Sequence, residues 1–306
     1  MNTRNTARTN SLLGYPADAR LLFVNADDFG MCHAVNEAII RSLEEGIVGS
    51  SSVMVPCPWA LHALTWLQEA PDVPFGVHLT SISEQPIYRW GPITCRTEVP
   101  SLVDEAGYFY PESRIEEFLE QVDVGELERE YRAQIEHVLD VGLRPTHLDS
   151  HCATHTRREE IFEMTLGLAR QYGVPLRAYY RPFIEKMRRR GYPTNDHDLM
   201  DSYDLDIVGR AARYARMLRA LPVGLSEWAL HPGVGNAELR AAVPSWRVRQ
   251  SDFDFVVSQE ARAILPQKFA LRGFPDVGGK QASDLPRRWL RGRLDPLVVL
   301  GDDLFV

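Results

Sequence analysis

The chain has 306 residues and a mass of 34.7 kDa, with 44% hydrophobic and 25% charged residues. This composition excludes collagen-like, disordered and disulfide-scaffold chains, and the length suits one large α/β domain. The 42 acidic residues outnumber the 34 basic ones, which gives a net charge of −8. This acidic balance argues against a dedicated nucleic-acid-binding protein, so we expect no nucleic-acid partner.

The four cysteines lie far apart without a C-x-x-C pair, which is typical of a protein from a reducing compartment. The polar first 20 residues lack the apolar segment of a signal peptide. No window approaches the roughly 20 apolar residues that a membrane span needs. The sequence therefore predicts a cytoplasmic globular protein without a membrane partner.

Short apolar runs alternate with amphipathic segments from residue 21 onward. Apolar runs between turn residues predict buried strands, and apolar residues at helical spacing predict helices. The predicted elements, in chain order, are strand 21–26, helix 33–45, strand 47–55, helix 57–70, strand 75–80, helix 114–141, strand 145–149, helix 157–172, strand 174–180, helix 206–220, a strand within 224–233, helix 251–265 and strand 267–271.

Other segments are predicted to be irregular. Residues 1–20 lack hydrophobic periodicity and are expected to be a disordered lead. Residues 82–113 are rich in Pro, Gly and Tyr and are expected to form a long loop that covers a site, and residues 181–204 a second long loop. No shift in composition marks a domain boundary, so residues 21–306 are predicted to be a single domain. From about residue 272 the sequence predicts no firm element.

The alternation of strands and helices predicts a parallel sheet with crossover helices, which is the α/β class. Six or seven such units fit a (β/α) barrel better than a dinucleotide-binding fold, because no G-x-G-x-x-G follows the first strand. No P-loop is present either. We therefore expect a barrel of about seven parallel strands.

Aspartates and histidines lie at the ends of four predicted strands. In (β/α) barrels the reacting groups lie at the carboxyl ends of the strands, so we expect these side chains to meet at one edge. They are Asp27 and Asp28 after the first strand, His78 on the third, Asp149, His151 and His155 on and after the fourth, and His231 after the strand within 224–233.

This set of side chains is suited to binding a divalent metal ion. An aspartate with two or three histidines suits Zn²⁺ and is acceptable to Mn²⁺, Fe²⁺, Co²⁺ or Ni²⁺, whereas Mg²⁺ prefers oxygen ligands. One of the two adjacent aspartates would bind the ion, and the other would remain a free base. His231 would act as a general acid from a separate loop. On a helix, the spacing of His151 and His155 would place both rings on one face.

Each feature also has a purely structural explanation. Paired aspartates often cap a helix, a single histidine on an apolar strand is often a hydrogen-bonded core residue, and a histidine before Pro-Gly often lies in a turn. Cys152 beside His151 is compatible with a Cys-His hydrolase, but sequence neighbours are seldom spatial partners. Aromatic residues within 88–110 either pack in the core or stack on a sugar ring.

Four motifs resemble those of the YdjC/ChbG family of carbohydrate deacetylases. They are VNADDFG (24–30), GVHLT (76–80), PTHLDSHCATH (145–155) and EWALHPG (227–233). The resemblance covers about residues 21–233 and continues more weakly to about 270. It implies a distorted (β/α) barrel related to the polysaccharide deacetylases. It also implies a hydrolase that uses one divalent metal ion to remove the N-acetyl group from an amino sugar or a short oligosaccharide such as a chitooligosaccharide. The identity of the ion, Zn²⁺, Mg²⁺ or a transition metal ion, is left open.

The same resemblance implies roles for individual residues. Cys152 and Ala153 stand where family members often carry two further histidines in a D-S-H-H-H-x-H string. Carried over by motif, the implied metal ligands are Asp28, His78 and His151, and the implied catalytic residues are Asp27 as base and His231, at the family's His-Pro-Gly position, as acid. His147 and Asp149 alternate on their predicted strand, so both can face the same side, and we expect these two residues, with His155 and Asn25, to orient ligands or contact substrate.

Two other functions remain open from the sequence. One is a metal-dependent phosphoesterase or a glycosidase on the same edge of the sheet, although a glycosidase needs two carboxylates that flank the bond and no metal. The other is a carbohydrate-binding homologue that has lost its activity, which the altered histidine string favours. The sequence also leaves open whether the protein forms a homodimer.

Overall fold

The computed structural model describes residues 8–265 and 297–300. The strands are β1 (Arg20–Phe29), β2 (Ser50–Val53), β3 (Phe75–Leu79), β4 (Ile82–Ser83), β5 (Tyr110–Pro111), β6 (His147–Ser150), β7 (Met200–Asp201), β8 (Gly224–Leu230) and β9 (Leu297–Leu300). The helices are α1 (Arg8–Leu12), α2 (His33–Glu45), α3 (Ala60–Glu69), α4 (Ile115–Gln121), α5 (Val124–Asp140), α6 (Glu159–Tyr172), α7 (Arg181–Arg189), α8 (Arg210–Arg219), α9 (Ala237–Ala242), α10 (Trp246–Val256) and α11 (Gln259–Ile264).

Six parallel strands form the main sheet in the order β6-β3-β2-β1-β8-β7. A seventh strand, β9, pairs antiparallel with the first residues of β1. Within the described residues, β6 and β7 are the two ends of the path, so this part of the sheet is an open half-barrel. The predicted α/β class and parallel sheet are confirmed, and the seven strands consist of six parallel strands and one antiparallel strand.

β1 lies in the middle of the sheet, between β2 and β8. Its neighbouring side chains Val24 and Asn25 point to opposite faces and are both completely buried, as expected for a parallel strand with both faces covered. The helix that follows, α2, buries Val35 and Ile39 in the same core. Because β1, β3, β6 and β8 run parallel, their carboxyl ends meet at one edge of the sheet. The aspartates and histidines that end these strands therefore lie at this edge.

The predicted disordered lead is wrong for residues 8–20. α1 lies in this segment, and the Thr9 hydroxyl donates to the Thr194 carbonyl at 2.6 Å. The Asn10 amide donates to the carbonyls of Pro16 and Ala19 at 3.0 and 2.8 Å. These partners lie in turns and distant loops, so the local polar composition does not reveal them. Residues 1–7 lie outside the described part of the chain.

The predicted loop 181–204 begins instead with α7. Pro182 occupies the first turn of this helix, where its missing N–H is not needed, and Ile184 and Met187 are buried. The strand predicted at 174–180 is reduced to one bridge, between Leu148 and Leu176. The strand predicted at 267–271 lies outside the described residues.

The predicted helix 114–141 is two helices, α4 and α5. The chain leaves helical geometry at Val122, and the Asp123 carboxylate accepts a hydrogen bond from the Glu126 amide as the N-cap of α5. The predicted loop 82–113 packs against the core through buried residues such as Trp90 and Phe109. Among the described helices, none is long and apolar enough to cross a membrane.

Candidate active site

A cavity of about 700 Å³ opens at the carboxyl edge of the sheet. The structure brings five side chains that the sequence singled out to its wall: Asp27, Asp28, His78, His151 and His231. All five side chains are largely buried. Distant parts of the chain therefore converge at one edge.

The two adjacent aspartates at the end of β1 face different partners. Asp28 has a backbone φ of 73°, in the left-handed region that a non-glycine residue rarely adopts. The register between β1 and β2 also shifts between Ala26 and Phe29. Such an irregularity re-aims side chains next to a site. As a result Asp27 pairs with one arginine, Arg177, while Asp28 faces two histidines.

Asp28, His78 and His151 form a cluster of three potential metal ligands, which we call the donor cluster. Asp28 Oδ1 lies 3.3 Å from His78 Nε2 and 3.2 Å from His151 Nδ1. The three ligand atoms lie within 4.8 Å of one another. Asp28 Oδ1 is buried without a hydrogen-bond partner, which is costly unless another ligand satisfies it. One carboxylate oxygen and two imidazole nitrogens fit a divalent transition metal ion.

His78 is oriented by a carboxylate behind it. Its Nδ1–H donates to Asp149 Oδ1 at 2.9 Å, and the Ser52 hydroxyl donates to Asp149 Oδ2 at 2.8 Å. This leaves Nε2 directed at Asp28, the arrangement in which a carboxylate orients a metal-binding histidine. Burial lowers the pKa of His78, but Asp149 and Asp28 outweigh it and raise that pKa to about 10. A metal ion bound at Nε2 would take the place of this proton.

Asp28 remains ionised in this environment. Burial alone would raise its pKa, but Arg249, His151 and His78 hold that pKa well below its usual range. The donor cluster is therefore supplied with a carboxylate rather than a neutral acid.

Asp27 is held by a forked pair with Arg177. The guanidinium Nη1 lies 2.6 Å from Asp27 Oδ2, and Nη2 lies 3.0 Å from Oδ1. The Asn25 amide donates to Oδ1 at 2.7 Å. Arg177 also pairs with Glu227 at 2.6 Å and with Asp149 at 3.0 Å. These charges are buried, and a bidentate pair fixes the Asp27 carboxylate in both position and orientation.

His231 lies across from Asp27. Its Nε2 is 4.0 Å from Asp27 Oδ2, and its Nδ1 is 2.8 Å from the Ser202 hydroxyl. The Tyr203 ring packs edge-on against the imidazole, with the ring centres 4.6 Å apart. The hydrogen bond with Ser202 therefore engages Nδ1 of His231, and Nε2 of the same ring lies beside Asp27.

The other two histidines that the sequence singled out, His155 and His147, do not line the cavity. His151–Thr156 is a short 3₁₀ segment with left-handed Cys152 and Ala153, so the expected shared helical face does not form. His155 Nε2 donates to the Arg177 carbonyl at 2.8 Å, and its Nδ1 accepts from Ser150 at 2.6 Å.

His147 packs edge-on against Phe23, and its Nδ1 lies 3.0 Å from the Thr146 hydroxyl. Burial lowers the pKa of both His147 and His155 to about 4, so both rings are neutral at pH 7. The pair contributes packing and hydrogen bonds behind the site.

Two arginines in the site were missed by the sequence reasoning. Arg177 lies in the apolar run 174–180, and a lone arginine among apolar residues is a signal that buried carboxylates need a partner. Arg249 lies on α10 in a segment without a recognisable motif, and nothing in the sequence pattern marks it. The aromatic side chains in the cavity wall are Tyr179, Tyr180 and Tyr203 rather than residues of 88–110.

Cys152 lines the cavity next to His151. Burial raises the pKa of its thiol, although His151 acts in the opposite direction. The thiol is therefore protonated at neutral pH, which disfavours the Cys-His hydrolase, since the thiolate is the nucleophilic form.

Comparison with known proteins identifies relatives. A carbohydrate deacetylase of Enterococcus faecalis is 41% identical over 187 residues, which cover 60% of this chain and 69% of the relative. A carbohydrate deacetylase of Thermoanaerobacter pseudethanolicus is 30% identical over 224 residues, which cover 72% of this chain and 84% of the relative. A crystal structure from E. faecalis V583, of a protein for which cleavage of cellobiose phosphate has been suggested, matches with a TM-score of 0.69 and 31% identity.

That match covers 80% of this chain and 93% of the crystallised chain. The family model described as YdjC-like protein matches residues 21–267. This range holds β2 to β8, all of β1 except its first residue, and every residue of the donor cluster. The chain therefore belongs to the YdjC-like family.

Proposed function

We propose that this protein is a divalent-metal-dependent carbohydrate deacetylase. Its substrate is an N-acetylated amino sugar or a short oligosaccharide such as a chitooligosaccharide. The observation that carries the proposal is that the donor cluster shares one cavity with a buried carboxylate, Asp27, and an imidazole, His231. The curated relatives named carbohydrate deacetylase support the reaction class.

Asp28, His78 and His151 would hold the cation. When bound, the cation supplies a Lewis acid that polarises the acetyl carbonyl and lowers the pKa of water. The two histidines offer neutral nitrogen donors once their protons leave, and Asp149 keeps the His78 ring in place.

Asp27 is the proposed general base. Its carboxylate lies outside the Asp28, His78 and His151 set. Asp27 forms a second group of possible ligands with His78 and Asp149, but Arg177 already pairs with both carboxylates of that group, so we assign Asp27 to accept the proton of the attacking water. The Arg177 fork and Asn25 fix the carboxylate, which reduces the reorganisation needed during proton transfer.

His231 is the proposed general acid. The bond from water oxygen to the acetyl carbon forms, the carbon–nitrogen bond breaks, and the sugar nitrogen needs a proton to leave as an amine. Nε2 of His231 lies 4.0 Å from Asp27 Oδ2, so the proposed acid and base are close enough to act on the same substrate group. The products are acetate and a free amino sugar.

The cavity supports a carbohydrate substrate. Its volume of about 700 Å³ lies within the range of small-molecule sites. Tyr180 lines it with half of its surface exposed, and Tyr179 and Tyr203 contribute further aromatic wall. Aromatic rings provide apolar faces with a polar tip, which suits the mixed surface of a sugar ring.

The test is acetate release from N-acetylglucosamine and its short oligomers by protein that is stripped with a chelator and reloaded with Zn²⁺, Co²⁺, Mn²⁺ or Mg²⁺. We expect acetate only with a bound metal. Chelator-insensitive cleavage of the glycosidic bond would instead indicate a glycosidase, and release of phosphate from a phosphorylated sugar would indicate a phosphoesterase. No acetate from any amino sugar, with metal shown to be bound, would contradict the proposal.

A further inference from the structure

An arginine that the proposed mechanism does not use holds the second oxygen of Asp28. Arg249 Nη2 lies 2.7 Å from Asp28 Oδ2 and 3.1 Å from Glu84 Oε2. The side chains of Arg249 and Asp28 are each 1% exposed. Thus Oδ1 of Asp28 faces the two histidines, while Oδ2 is already paired with a cation of the protein itself.

The position of Arg249 is fixed by the His-Pro-Gly segment that follows β8. The Gly233 N–H donates to the Arg249 carbonyl at 3.0 Å. A Cβ at position 233 would lie 3.1 Å from Arg249 Cβ and 3.5 Å from Arg249 Cδ. Because glycine has no Cβ, the aliphatic part of the Arg249 side chain can pack against this position. The Arg249 guanidinium also lies 5.9 Å from the Tyr203 ring centre. The guanidinium is therefore held against Asp28 by packing as well as by charge.

We propose that Arg249 is a positioning residue that makes Asp28 bind the metal ion through Oδ1 alone. A carboxylate binds a metal through one or both oxygens, and a strong hydrogen bond to Oδ2 leaves only Oδ1 free. Fewer protein ligands leave positions open for water and substrate, as a catalytic site requires. This inference rests on the proposed function, because it assumes that the donor cluster binds a cation.

The charges of Arg249 and Glu84 also predict an effect on the affinity of the donor cluster for a metal ion. Arg249 places a positive charge next to Asp28 and therefore repels a divalent ion in the donor cluster. Glu84 offsets part of that charge through its contact at 3.1 Å. We therefore expect Arg249 to weaken metal binding while it limits the number of ligands, and Glu84 to strengthen it.

The test uses Co²⁺ binding to the full chain, because Co²⁺ reports both affinity and coordination number. Four-coordinate Co²⁺ absorbs visible light strongly, and six-coordinate Co²⁺ absorbs it weakly. In R249M we expect Co²⁺ to bind at least about tenfold more tightly, since the repulsion is lost and Asp28 Oδ2 and Glu84 become free to coordinate. The visible absorption should fall as the coordination number rises. R249K keeps the charge, so we expect an affinity within about threefold of the original protein.

Two further variants complete the experiment. R247M changes an exposed arginine on the same helix and should leave Co²⁺ affinity and spectrum unchanged. E84Q retains Arg249 and removes the offsetting charge, so it should weaken Co²⁺ binding about tenfold, and it tests the charge argument even where R249M does not fold.

The outcomes separate the two proposals. If the original protein binds Co²⁺ while R249M and E84Q leave both affinity and spectrum unchanged, the role of Arg249 is wrong and the metal site stands. Weaker binding in R249M with an unchanged spectrum would also contradict the role. If the original protein does not bind Co²⁺, both the metal site and this inference are contradicted.

Discussion

At the scale of single residues, the site depends on two neighbouring aspartates that serve different partners. The left-handed backbone at Asp28, with φ of 73°, costs free energy that the surrounding contacts must offset. Those contacts are charged: Arg177 holds Asp27, and Arg249 with two histidines holds Asp28. The sequence predicted that both aspartates lie at the carboxyl edge of the sheet, where the cavity opens, because both follow the first strand.

We predict that Asp27→Asn separates catalysis from metal binding. The amide cannot accept the proton of water, so kcat for acetate release should fall about 10³-fold. The donor cluster remains intact, so the metal content per chain should stay the same. The matched control is Asp140→Asn, at the exposed end of α5, which should leave kcat unchanged. A D27N protein that retains full activity would rule out Asp27 as the base.

A second prediction concerns His155 and the pH dependence of stability. Burial lowers its pKa to about 4, against about 6.5 in the unfolded chain. The neutral ring therefore stabilises the fold above pH 6.5, and this contribution is lost as the pH falls from 6.5 toward 4. Between pH 7 and pH 5 the free energy of unfolding should fall by about 2 kcal/mol more in the original protein than in H155Q.

The measurement is urea unfolding at the two pH values. His155→Gln lowers stability at pH 7 as well, because the hydrogen bonds to Ser150 and Arg177 change, so only the difference between the two pH values is interpreted. Equal pH dependence in the two proteins would show that His155 is not held neutral in the fold.

At the scale of elements, the sequence predicted the strands that carry the site more accurately than the connections. Buried parallel strands such as β1 and β3 leave a continuous apolar signal that can be read locally. The segment His151–Thr156 is different, because Cys152 and Ala153 adopt left-handed backbone conformations that non-glycine residues rarely take and that the local sequence therefore does not predict. Arg249 reaches the site through packing of α10 against the His-Pro-Gly segment, and no local pattern encodes that contact.

The pairing of β3 with β6 yields a prediction at this scale. Gly76 is opposite His147, and a Cβ at position 76 would lie 2.5 Å from His147 Nε2. Gly76→Ala should therefore lower the free energy of unfolding by about 1–3 kcal/mol. The double variant G76A/H147A should lose less stability than the sum of the two single losses, because its clash is gone. Strictly additive losses in this double-mutant cycle would contradict the predicted clash.

At the scale of the whole molecule, buried carboxylates outnumber buried guanidinium groups around Arg177, at the carboxyl edge of the sheet. Three carboxylates, Asp27, Asp149 and Glu227, contact this single guanidinium. Because like charges in a buried site repel, a bound cation would relieve part of this strain. The overall acidic composition is visible in the sequence, but its concentration at one edge follows only from the fold.

We therefore predict that metal binding stabilises the folded chain. With free Zn²⁺ at about a hundredfold excess over its Kd, the added stability of about 2.7 kcal/mol should raise Tm by roughly 5 °C relative to chelator-treated protein. Differential scanning calorimetry measures the shift. Asp28→Ala removes a ligand and should abolish it, and a shift of the same size in D28A would place the stabilising ion elsewhere.

The central claim is that Asp28, His78 and His151 together bind one cation. Anomalous X-ray diffraction from crystals grown with Zn²⁺ tests it most directly, because the metal position is seen without reference to activity. We predict one strong anomalous peak within bonding distance, about 2.0–2.2 Å, of Asp28 Oδ1, His78 Nε2 and His151 Nδ1. A fully active crystalline protein with no peak at this cluster, or with its peak at other residues, would contradict the account.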